Sequence, residues 1–380
     1  DPWGIPHIFA ANEPDLFFAA GFVQAEDRLW QMDMMRRACS GRLAEAIGAA
    51  GLEWDRIART LEFRESVQRE RANLSPEMER LLTSFAAGVN AWMAGRRPAN
   101  WPPEFMVLAY RPQQWTVEDS LSVKPLASLG LGADLLDEIL RTKILLKLGP
   151  EKAAGLLQPG IPMPENLALL KRAAPDFAEF FAHGVSNNWV VSGSRTQSGK
   201  PLLANDPHLG ITLPPLWYEM HLECPTLRVT GATFPGLPLV VIGHNETSAW
   251  GITSSFTDTE DIYIEEFDAA RERYRNGDGW KPLEKTKETI HVRWRRAPAM
   301  IELIRTERGP VISPVVIKSR LPISLKWTAL EGGRTVEGFY RLNKAGNWAE
   351  FKAAMELIDS PPQNFVFADT HGDIGYYLNG

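Results

Sequence analysis

The stretch His183-Gly184-Val185-Ser186-Asn187-Asn188-Trp189-Val190-Val191 marks the point at which the sequence changes character. The residues before it predict mainly helices, and those after it predict short strands separated by turns. Within the stretch, Trp189-Val190-Val191 predicts the opening of a buried strand, because aromatic and β-branched side chains fit a pleated, packed surface. A serine before a strand is usually a turn residue. Ser186 would also be held rigidly at the strand tip, which makes it a candidate nucleophile.

The overall composition is that of an ordinary globular protein, with 44% hydrophobic and 23% charged residues. A chain of 380 residues exceeds the length at which single cores usually stop growing, so two subdomains or one large layered domain are expected. The formal net charge of -6 counts against nucleic acid as the main partner. No run of about 18 consecutive apolar residues occurs, so no membrane span is expected.

The two cysteines, Cys39 and Cys224, are too few for a disulfide framework, and no paired Cys/His spacing predicts a structural zinc site. They could pair with each other or stay as buried thiols. The sequence begins at Asp1 without an initiator Met or a signal peptide, and it stops at Gly380 directly after a strand-like segment. We therefore expect both ends to be cuts.

Hydrophobic periodicity predicts that the first half is helical. An apolar face runs from Glu13 to Arg37, and prolines forbid a helix over 97–115. Thr116 then begins a new helix with acidic residues in its first turn. Further helices are predicted over 133–148, 166–182 and 347–357.

The second half predicts a succession of short strands. Alternation and turn residues place strands at 189–192, 201–205, 216–223, 227–232, 239–243, 249–253 and 261–266. The same strand pattern is predicted to continue over 288–343. Strands that follow one another at this spacing form antiparallel sheets, so the sequence predicts an α+β protein.

A serine nucleophile usually needs a base within hydrogen-bond reach. The Gly-x-Ser-x-Gly elbow of the α/β-hydrolases does not surround Ser186, and no parallel βαβ alternation is present to hold such an elbow. If the bond between Val185 and Ser186 were cleaved, the α-amino group of the serine would become free. Its unperturbed pKa of about 7.7 to 8.0 suits a general base near neutral pH.

Further motifs flank Ser186 in an order and spacing that one known family shares. They are Trp3-Gly4-Ile5-Pro6-His7-Ile8, Gly21-Phe22-Val23-Gln24-Ala25-Glu26-Asp27-Arg28-Leu29-Trp30-Gln31-Met32, Trp115-Thr116-Val117-Glu118-Asp119-Ser120, Ser186-Asn187-Asn188-Trp189, Asn205-Asp206-Pro207-His208-Leu209, Phe234-Pro235-Gly236, Gly243-His244-Asn245 and Trp250-Gly251-Ile252-Thr253-Ser254. Each motif alone is weak. Together, over nearly the whole chain, they resemble the penicillin acylase branch of the N-terminal nucleophile hydrolases, also called the penicillin amidase family.

The resemblance implies an αββα sandwich of antiparallel sheets with a largely helical α-chain portion. Residues 1–185 would form that α-chain-like portion, ending in a possible short spacer, and 186–380 would be the amino-terminal part of a β-chain. A precursor would cleave itself before Ser186 to give an α/β heterodimer. Relatives commonly have glycine directly before the serine, where this chain has Val185. Family habit also implies a periplasmic or secreted protein.

The resemblance further implies a catalytic set. Ser186 would attack the amide carbonyl of a small N-acyl substrate and form an acyl-enzyme, with its own α-amine as the base. His208 matches a family position that holds histidine or glutamine and would orient the α-amine, although a Pro-flanked turn residue is the alternative. The backbone N–H of Ser254 would be one oxyanion donor. The second donor, an asparagine in relatives, is expected beyond Gly380, and Asn245 is not that residue.

Leu209 and Ile242 match positions that line the acyl pocket in relatives, although plain core packing explains them equally well. Both are aliphatic where penicillin G acylases carry aromatic rings, which favours acyl chains over phenylacetyl groups. The function expected is hydrolysis of N-acyl amides in the manner of penicillin and cephalosporin acylases, without an organic cofactor. The alternatives are an N-acyl homoserine lactone acylase, which acts in quorum quenching, and a catalytically silent, calcium-stabilised binding protein.

Asp258, Glu260 and Asp261 form an acidic cluster of the kind that supplies oxygen ligands to calcium, although such clusters in loops are often merely solvated. By resemblance, the ligands would be the carboxylates of Asp258 and Asp261 and the backbone carbonyl of Glu260. A glutamate of the α-chain would complete the site. Glu138 is the candidate, with Asp134 as the alternative. This calcium ion would be structural.

Overall fold

The computed structural model describes residues 1–132, 148, 149, 152, 185–255, 257–317, 319 and 321–379. The helices predicted over 133–148 and 166–182 fall almost entirely outside these residues. Among the residues described, no helix combines the length and apolar character that crossing a membrane requires. Cys39 and Cys224 are both buried and do not form a disulfide with each other.

The helices fall into two groups, one before the hairpin that carries Ser186 and one near the end of the chain. The first group is α1 Glu13–Ser40, α2 Ala44–Ile47, α3 Leu52–Thr60, α4 Phe63–Ala72, α5 Pro76–Gly95, α6 Pro103–Val107, α7 Val117–Leu121 and α8 Val123–Leu131. The second group is α9 Thr335–Lys344 and α10 Trp348–Met355. Short 3₁₀ turns occur between several of these elements.

Local signals set the ends of α1, the longest described helix. The side chain of Asn12 accepts a hydrogen bond from the N–H of Asp15, and Gly41 ends the helix with a positive φ of 62°. Glycines then allow α1 and α5 to cross closely. A Cβ atom on Gly21 would overlap the carbonyl oxygen of Phe85, and one on Gly88 would overlap that of Phe18.

The strands of the described residues form one large sheet and several small ones. They are β1 His7–Phe9, β2 Val185–Val191, β3 Leu202–His208, β4 Tyr218–Cys224, β5 Leu227–Thr233, β6 Ile242–Asn245, β7 Ser248–Ser254, β8 Glu260–Ile264, β9 Arg273–Asn276, β10 Gly279–Pro282, β11 Glu284–Ile290, β12 Ala299–Thr306, β13 Gly309–Pro310, β14 Ile323–Trp327, β15 Gln363–Asp369 and β16 Ile374–Asn379. The large sheet has the order β1-β4-β5-β6-β7-β15-β16. Its β1–β4 pair is parallel and its other pairs are antiparallel.

The large sheet lies between helices and the β2–β3 hairpin. On one face, Gln24 of α1 donates to the sulfur of Met220 on β4. On the same face, the ring of Phe351 on α10 packs against Phe367 on β15 with centroids 4.8 Å apart. On the other face, Asn188 of the hairpin donates to the carbonyl oxygens of two sheet residues, Gly251 and Asn364. This layering of helices, sheet and second sheet confirms the predicted α+β class with antiparallel sheets.

The prediction that prolines forbid a helix over 97–115 is wrong, because the short helix α6 begins at Pro103, where a proline fits the first turn of a helix.

Two parts of the predicted strand pattern are also wrong. Strands were predicted over 288–343, but the last strand in this range ends at Trp327 and the helix α9 follows. This segment is helical because Val336, Phe339 and Tyr340 recur at helical spacing and are buried. The strand predicted at 239–243 begins only at Ile242, although the residues before it are buried. There, the side chain of Asn343 pairs with both the backbone N–H and the carbonyl of Val240, so this backbone is satisfied without a strand.

Candidate active site

Ser186 lies near the start of β2, in a hairpin whose register decides which side chains can reach it. Ser186 is opposite Pro207 on β3, and Val185 is opposite His208. Because successive residues of a strand point to opposite faces, Ser186 and Pro207 share one face of the hairpin. His208 lies on the other face.

An apolar cavity of about 720 Å³, including its open mouth, lies on the Ser186 side. Ser186, Leu209, Ile242 and Ser254 all line it. Four of the residues singled out from the sequence, carried on four separate segments of chain, therefore meet at one site. Its remaining described walls are mainly aliphatic and aromatic: Val123, Ala127, Leu131, Pro207, Trp217, Phe234, Leu237, Val241, Ile252, Val336, Phe339 and Pro361.

His208 does not join this group. Its side chain is 44% exposed, and its Nε2 lies 3.1 Å from Oδ2 of Asp206, two residues earlier on the same strand. His208 is not among the described residues that line the cavity. The hairpin register is the physical reason, since it turns the imidazole away from the serine. The role of His208 as an orienting group for the α-amine stays a prediction.

Ser254 ends β7, opposite Gln363 on β15. The side chain of Asn364 donates to the Ser254 carbonyl at 3.1 Å and to Oγ1 of Thr253 at 3.2 Å. These bonds fix the backbone of the strand end next to the cavity. Asn245, by contrast, donates to the carbonyls of Asn343 and Ala345, a contact between the sheet and the end of α9.

Several wall residues were not identified as site residues from the sequence. The rings of Trp217 and Phe234 stack with centroids 4.6 Å apart and planes inclined by 17°. The Phe234-Pro235-Gly236 motif was a usable signal for one of them. Phe339 comes from α9, in a segment where the sequence predicted strands, so no local signal placed it here.

Among the described residues that line the cavity, Lys124 is the charged one. The Lys124 side chain is 1% exposed, and its Nζ lies 3.5 Å from Oε2 of Glu70 and 3.5 Å from Oδ1 of Asp359. Burial raises the pKa of Glu70, and the positive charge of Lys124 opposes that increase. The pair joins α4 to α8 at the cavity wall, where removal of the Lys124 charge would leave Glu70 buried and uncompensated, whereas removal of Glu70 would leave Lys124 with Asp359 alone.

The acidic residues proposed for calcium lie at the start of β8. Asp258 and Asp261 are exposed, whereas the Glu260 side chain is buried on the opposite face of the strand from Asp261. No group of three or more metal-binding side chains gathers among the described residues. Glu138 and Asp134 lie outside them.

The oxygen donors of Asp258, Glu260 and Asp261 can be compared with those that calcium prefers. Two exposed carboxylates and a backbone carbonyl within four residues are hard oxygen donors of the type calcium prefers. Gly132 lies close to the buried Glu260 side chain, since a Cβ atom on Gly132 would be 3.6 Å from its Oε1. The donor chemistry therefore fits calcium.

The chain is similar to known proteins along its whole length. The sequence model of the penicillin amidase family matches residues 1–380. The chain is 32% identical over 410 residues to the acyl-homoserine lactone acylase QuiP of Pseudomonas aeruginosa, covering 99% of this chain and 48% of that protein. It is 31% identical over 404 residues to the penicillin acylase 2 proenzyme of Pseudomonas sp., covering 100% of this chain and 51% of that protein.

Among solved structures, a thermostable penicillin G acylase from Alcaligenes faecalis aligns with 29% identity and a TM-score of 0.47, over 52% of this chain and 35% of that one. The chain spans about half the length of the curated relatives it matches. The family match extends over every motif noted in the sequence. This chain belongs to the penicillin amidase family.

Proposed function

We propose that this chain carries the nucleophile of an enzyme that hydrolyses N-acyl amides, with Ser186 as the attacking residue. The observation that carries the proposal is that Ser186 and Ser254 line one apolar cavity in a member of the penicillin amidase family. An apolar cavity beside a nucleophile suits an acyl group whose carbonyl must come to rest at the serine.

The reaction proceeds in two steps. The hydroxyl oxygen of Ser186 attacks the amide carbonyl, and the α-amine of the same residue takes the hydroxyl proton. The backbone N–H of Ser254 donates to the oxyanion, together with the asparagine expected beyond Gly380. The amine leaves with the proton from the α-ammonium group. Water then attacks the acyl-serine, gives its proton to the α-amine and releases the carboxylic acid.

This chemistry requires cleavage of the bond between Val185 and Ser186. The nitrogen of a peptide bond cannot act as a base, because its lone pair is delocalised into the carbonyl group. Cleavage would also separate residues 1–185 from the β-chain that begins at Ser186, which gives an α/β heterodimer. The name of one relative, a proenzyme, supports processing. Export to the periplasm or beyond stays a prediction from the family resemblance.

Two substrate classes compete for the acyl cavity. Leu209 and Ile242 favour an aliphatic acyl chain, as in N-acyl homoserine lactones, whereas the stacked Trp217 and Phe234 offer aromatic contacts for a phenylacetyl group. The relatives bear names of both classes. We expect the aliphatic lining to dominate, so a long-chain acyl homoserine lactone should have a higher kcat/KM than a phenylacetyl amide. A preference for the phenylacetyl amide would contradict this part of the proposal.

A covalent label tests the nucleophile. Purified full-length enzyme is incubated with phenylmethanesulfonyl fluoride, and the modified peptide is identified by mass spectrometry while amide hydrolysis is followed. We expect the label on Ser186 in proportion to the activity lost. Loss of activity with the label on another residue would exclude Ser186 as nucleophile. Absence of both labelling and hydrolysis, with Val185 still attached, would favour the silent binding protein.

We also propose a structural calcium ion held by Asp258 and Asp261. The Glu260 carbonyl and a glutamate from the first half of the chain, Glu138 with Asp134 as the alternative, would complete the ligands. Such an ion would tie the two chains together after cleavage and would take no part in the reaction.

A further inference from the structure

Two asparagines attach the nucleophile hairpin to the large sheet. Asn188 on β2 and Asn205 on β3 are directly opposite each other in the hairpin register. The Nδ2 of Asn188 lies 3.4 Å from the Gly251 carbonyl oxygen and 3.2 Å from that of Asn364. The contacts of Asn205 are shorter, between 2.9 and 3.0 Å, and they attach β3 to both β2 and β7.

Asn205 joins three strands through one amide group. Its Oδ1 accepts from the backbone N–H of Ile252 at 2.9 Å, and its Nδ2 donates to the carbonyl of the same residue at 2.9 Å. The same Nδ2 donates to the carbonyl of Asn187 at 3.0 Å. A carboxamide has one acceptor and two donor hydrogens, so this geometry uses both kinds of group. The side chain clamps β2 to β7 from its position on β3.

Gly251 makes room for this clamp. A Cβ atom on Gly251 would lie 2.7 Å from Cβ of Asn205, 3.0 Å from its Cγ and 3.2 Å from its Oδ1. The side chain of Asn205 occupies the space that any larger residue at 251 would need. Glycine in the interior of a strand often marks such a close approach.

The clamp lies between the two groups that must cooperate in acyl transfer. Asn187 follows Ser186 directly, and Ile252 is two residues before Ser254 on the same face of β7. Asn205 is not among the described residues that line the cavity, so it would act through these neighbours. We propose that Asn205 is a positioning residue that fixes Ser186 relative to the backbone N–H of Ser254. This inference rests on the proposed function.

The test compares two Asn→Asp substitutions that remove the same kind of bond. Asn205→Asp keeps the size of the side chain and one acceptor but removes the donors to Asn187 and Ile252. Asn90 on α5 is the matched control, because its side chain also binds both backbone groups of one residue. Its Oδ1 accepts from the N–H of Trp115 at 2.7 Å, and its Nδ2 donates to the Trp115 carbonyl at 2.9 Å. Both variants are made in the full-length enzyme. Rates are normalised to the fraction of protein with a free amino-terminal Ser186, measured by mass spectrometry.

We expect Asn205→Asp to lower kcat about 100-fold, because a displacement of about 1 Å between reacting groups has an effect of that order. KM should change less than about threefold, since the cavity walls are untouched. Asn90→Asp should lower the melting temperature by about as much as Asn205→Asp does. Its kcat should change less than about twofold. Gly251→Ala, which displaces the same clamp from β7, should reproduce the loss of kcat.

Equal kcat values for Asn205→Asp and Asn90→Asp would overturn the inference, as would a change confined to KM. If Asn205→Asp yields no processed protein, Gly251→Ala is judged by the same criteria. An inactive wild type would refute the proposed function. An active wild type with an unaffected Asn205→Asp would refute the clamp alone.

Discussion

The helical region around Asp33 and the hairpin region around Ser186 use their polar side chains in opposite ways. Asp33 is fully buried in α1, where its carboxylate lies 2.6 Å from Arg36 and 2.8 Å from Arg37. The hydroxyl of Tyr110 also donates to it at 2.7 Å. Burial would raise the pKa of Asp33, but the two guanidinium groups outweigh burial and hold that pKa below its usual value.

Around Ser186 the polar groups remain accessible. Ser186 is only partly buried at the wall of an open cavity, and the His208 side chain is 44% exposed. The side chain of Asn205 makes three hydrogen bonds to the backbones of neighbouring strands. It holds these strands together and is not among the described residues that line the cavity. The buried charges of the helical half therefore hold the architecture together, whereas the serine of the hairpin is partly exposed at the wall of a cavity.

The largest expected effect separates catalysis from stability. Ser186→Ala removes the proposed nucleophile, so hydrolysis should fall by at least about 10⁴-fold, while the melting temperature of this uncleaved variant should be no more than about 2 °C below that of the wild type. Amide hydrolysis and thermal unfolding are measured on the same preparations. Ser198→Ala, in the turn between β2 and β3, serves as the control and should retain activity. Residual hydrolysis by Ser186→Ala above one per cent or so would contradict the comparison.

The reverse outcome is expected for Asp33→Asn. This change leaves Arg36 and Arg37 without their shared buried carboxylate, and it should lower the free energy of unfolding by about 3 kcal/mol. The kcat of the folded variant should stay near the wild-type value. Denaturant unfolding measures the free energy of unfolding, and steady-state kinetics measure kcat. A variant with normal stability but lost activity would contradict the structural role given to Asp33.

The pKa of Asp33 adds a dependence on pH. Because its folded pKa is depressed, Asp33 stabilises the fold above the unfolded pKa of about 3.9, and this contribution is lost as the pH falls through the folded pKa. Wild type should therefore lose stability on acidification below about pH 4 more steeply than Asp33→Asn. Equal acid slopes would show that the guanidinium groups do not depress this pKa.

A calcium ion shared between the two halves would link the regions. Removal of calcium with a chelator should lower wild-type stability by about 2.7 kcal/mol if the free ion was present at 100 times its Kd. The double substitution Asp258→Asn and Asp261→Asn should abolish that response in thermal unfolding. Asp278→Asn, in the exposed β9–β10 turn, should leave it intact. A chelator effect that survives the double substitution would place the ion elsewhere.

The smallest effect concerns the acyl cavity. Leu209→Phe places a larger side chain at the cavity wall and so narrows the cavity. The preference for a long aliphatic over a short acyl chain should fall by about 1 to 3 kcal/mol, measured as the ratio of the two kcat/KM values. Leu202→Phe, on an exposed part of β3, is the control. An unchanged ratio in Leu209→Phe would indicate that the acyl chain lies in another part of the cleft.

Local patterns predicted the elements of the fold better than their mutual orientation. Periodicity located α1 within three residues at its carboxyl end, and alternation located β4 and β5 closely. The strand pattern predicted over 288–343 holds as far as Trp327 and is wrong where buried residues at helical spacing form α9. A short apolar segment suits either structure, and only the packing of that segment against the large sheet decides between them.

The candidate site was predictable where a motif carried it. Leu209, Ile242 and Ser254 were placed beside Ser186 by family resemblance, and all four line the cavity. The outward orientation of His208 depends on the register of β2 and β3, which a one-residue shift would reverse. Lys124 and Phe339 reach the cavity from distant helices, through packing that no local pattern encodes.

Cleavage of the bond before Ser186 is the step on which the proposed mechanism depends most directly. Intact mass measurement of the full-length protein, followed by amino-terminal sequencing, gives the answer. We predict two chains in the active wild type, one beginning at Ser186, and a single uncleaved chain in Ser186→Ala. An active wild type in which Val185 remains joined to Ser186 would contradict the account.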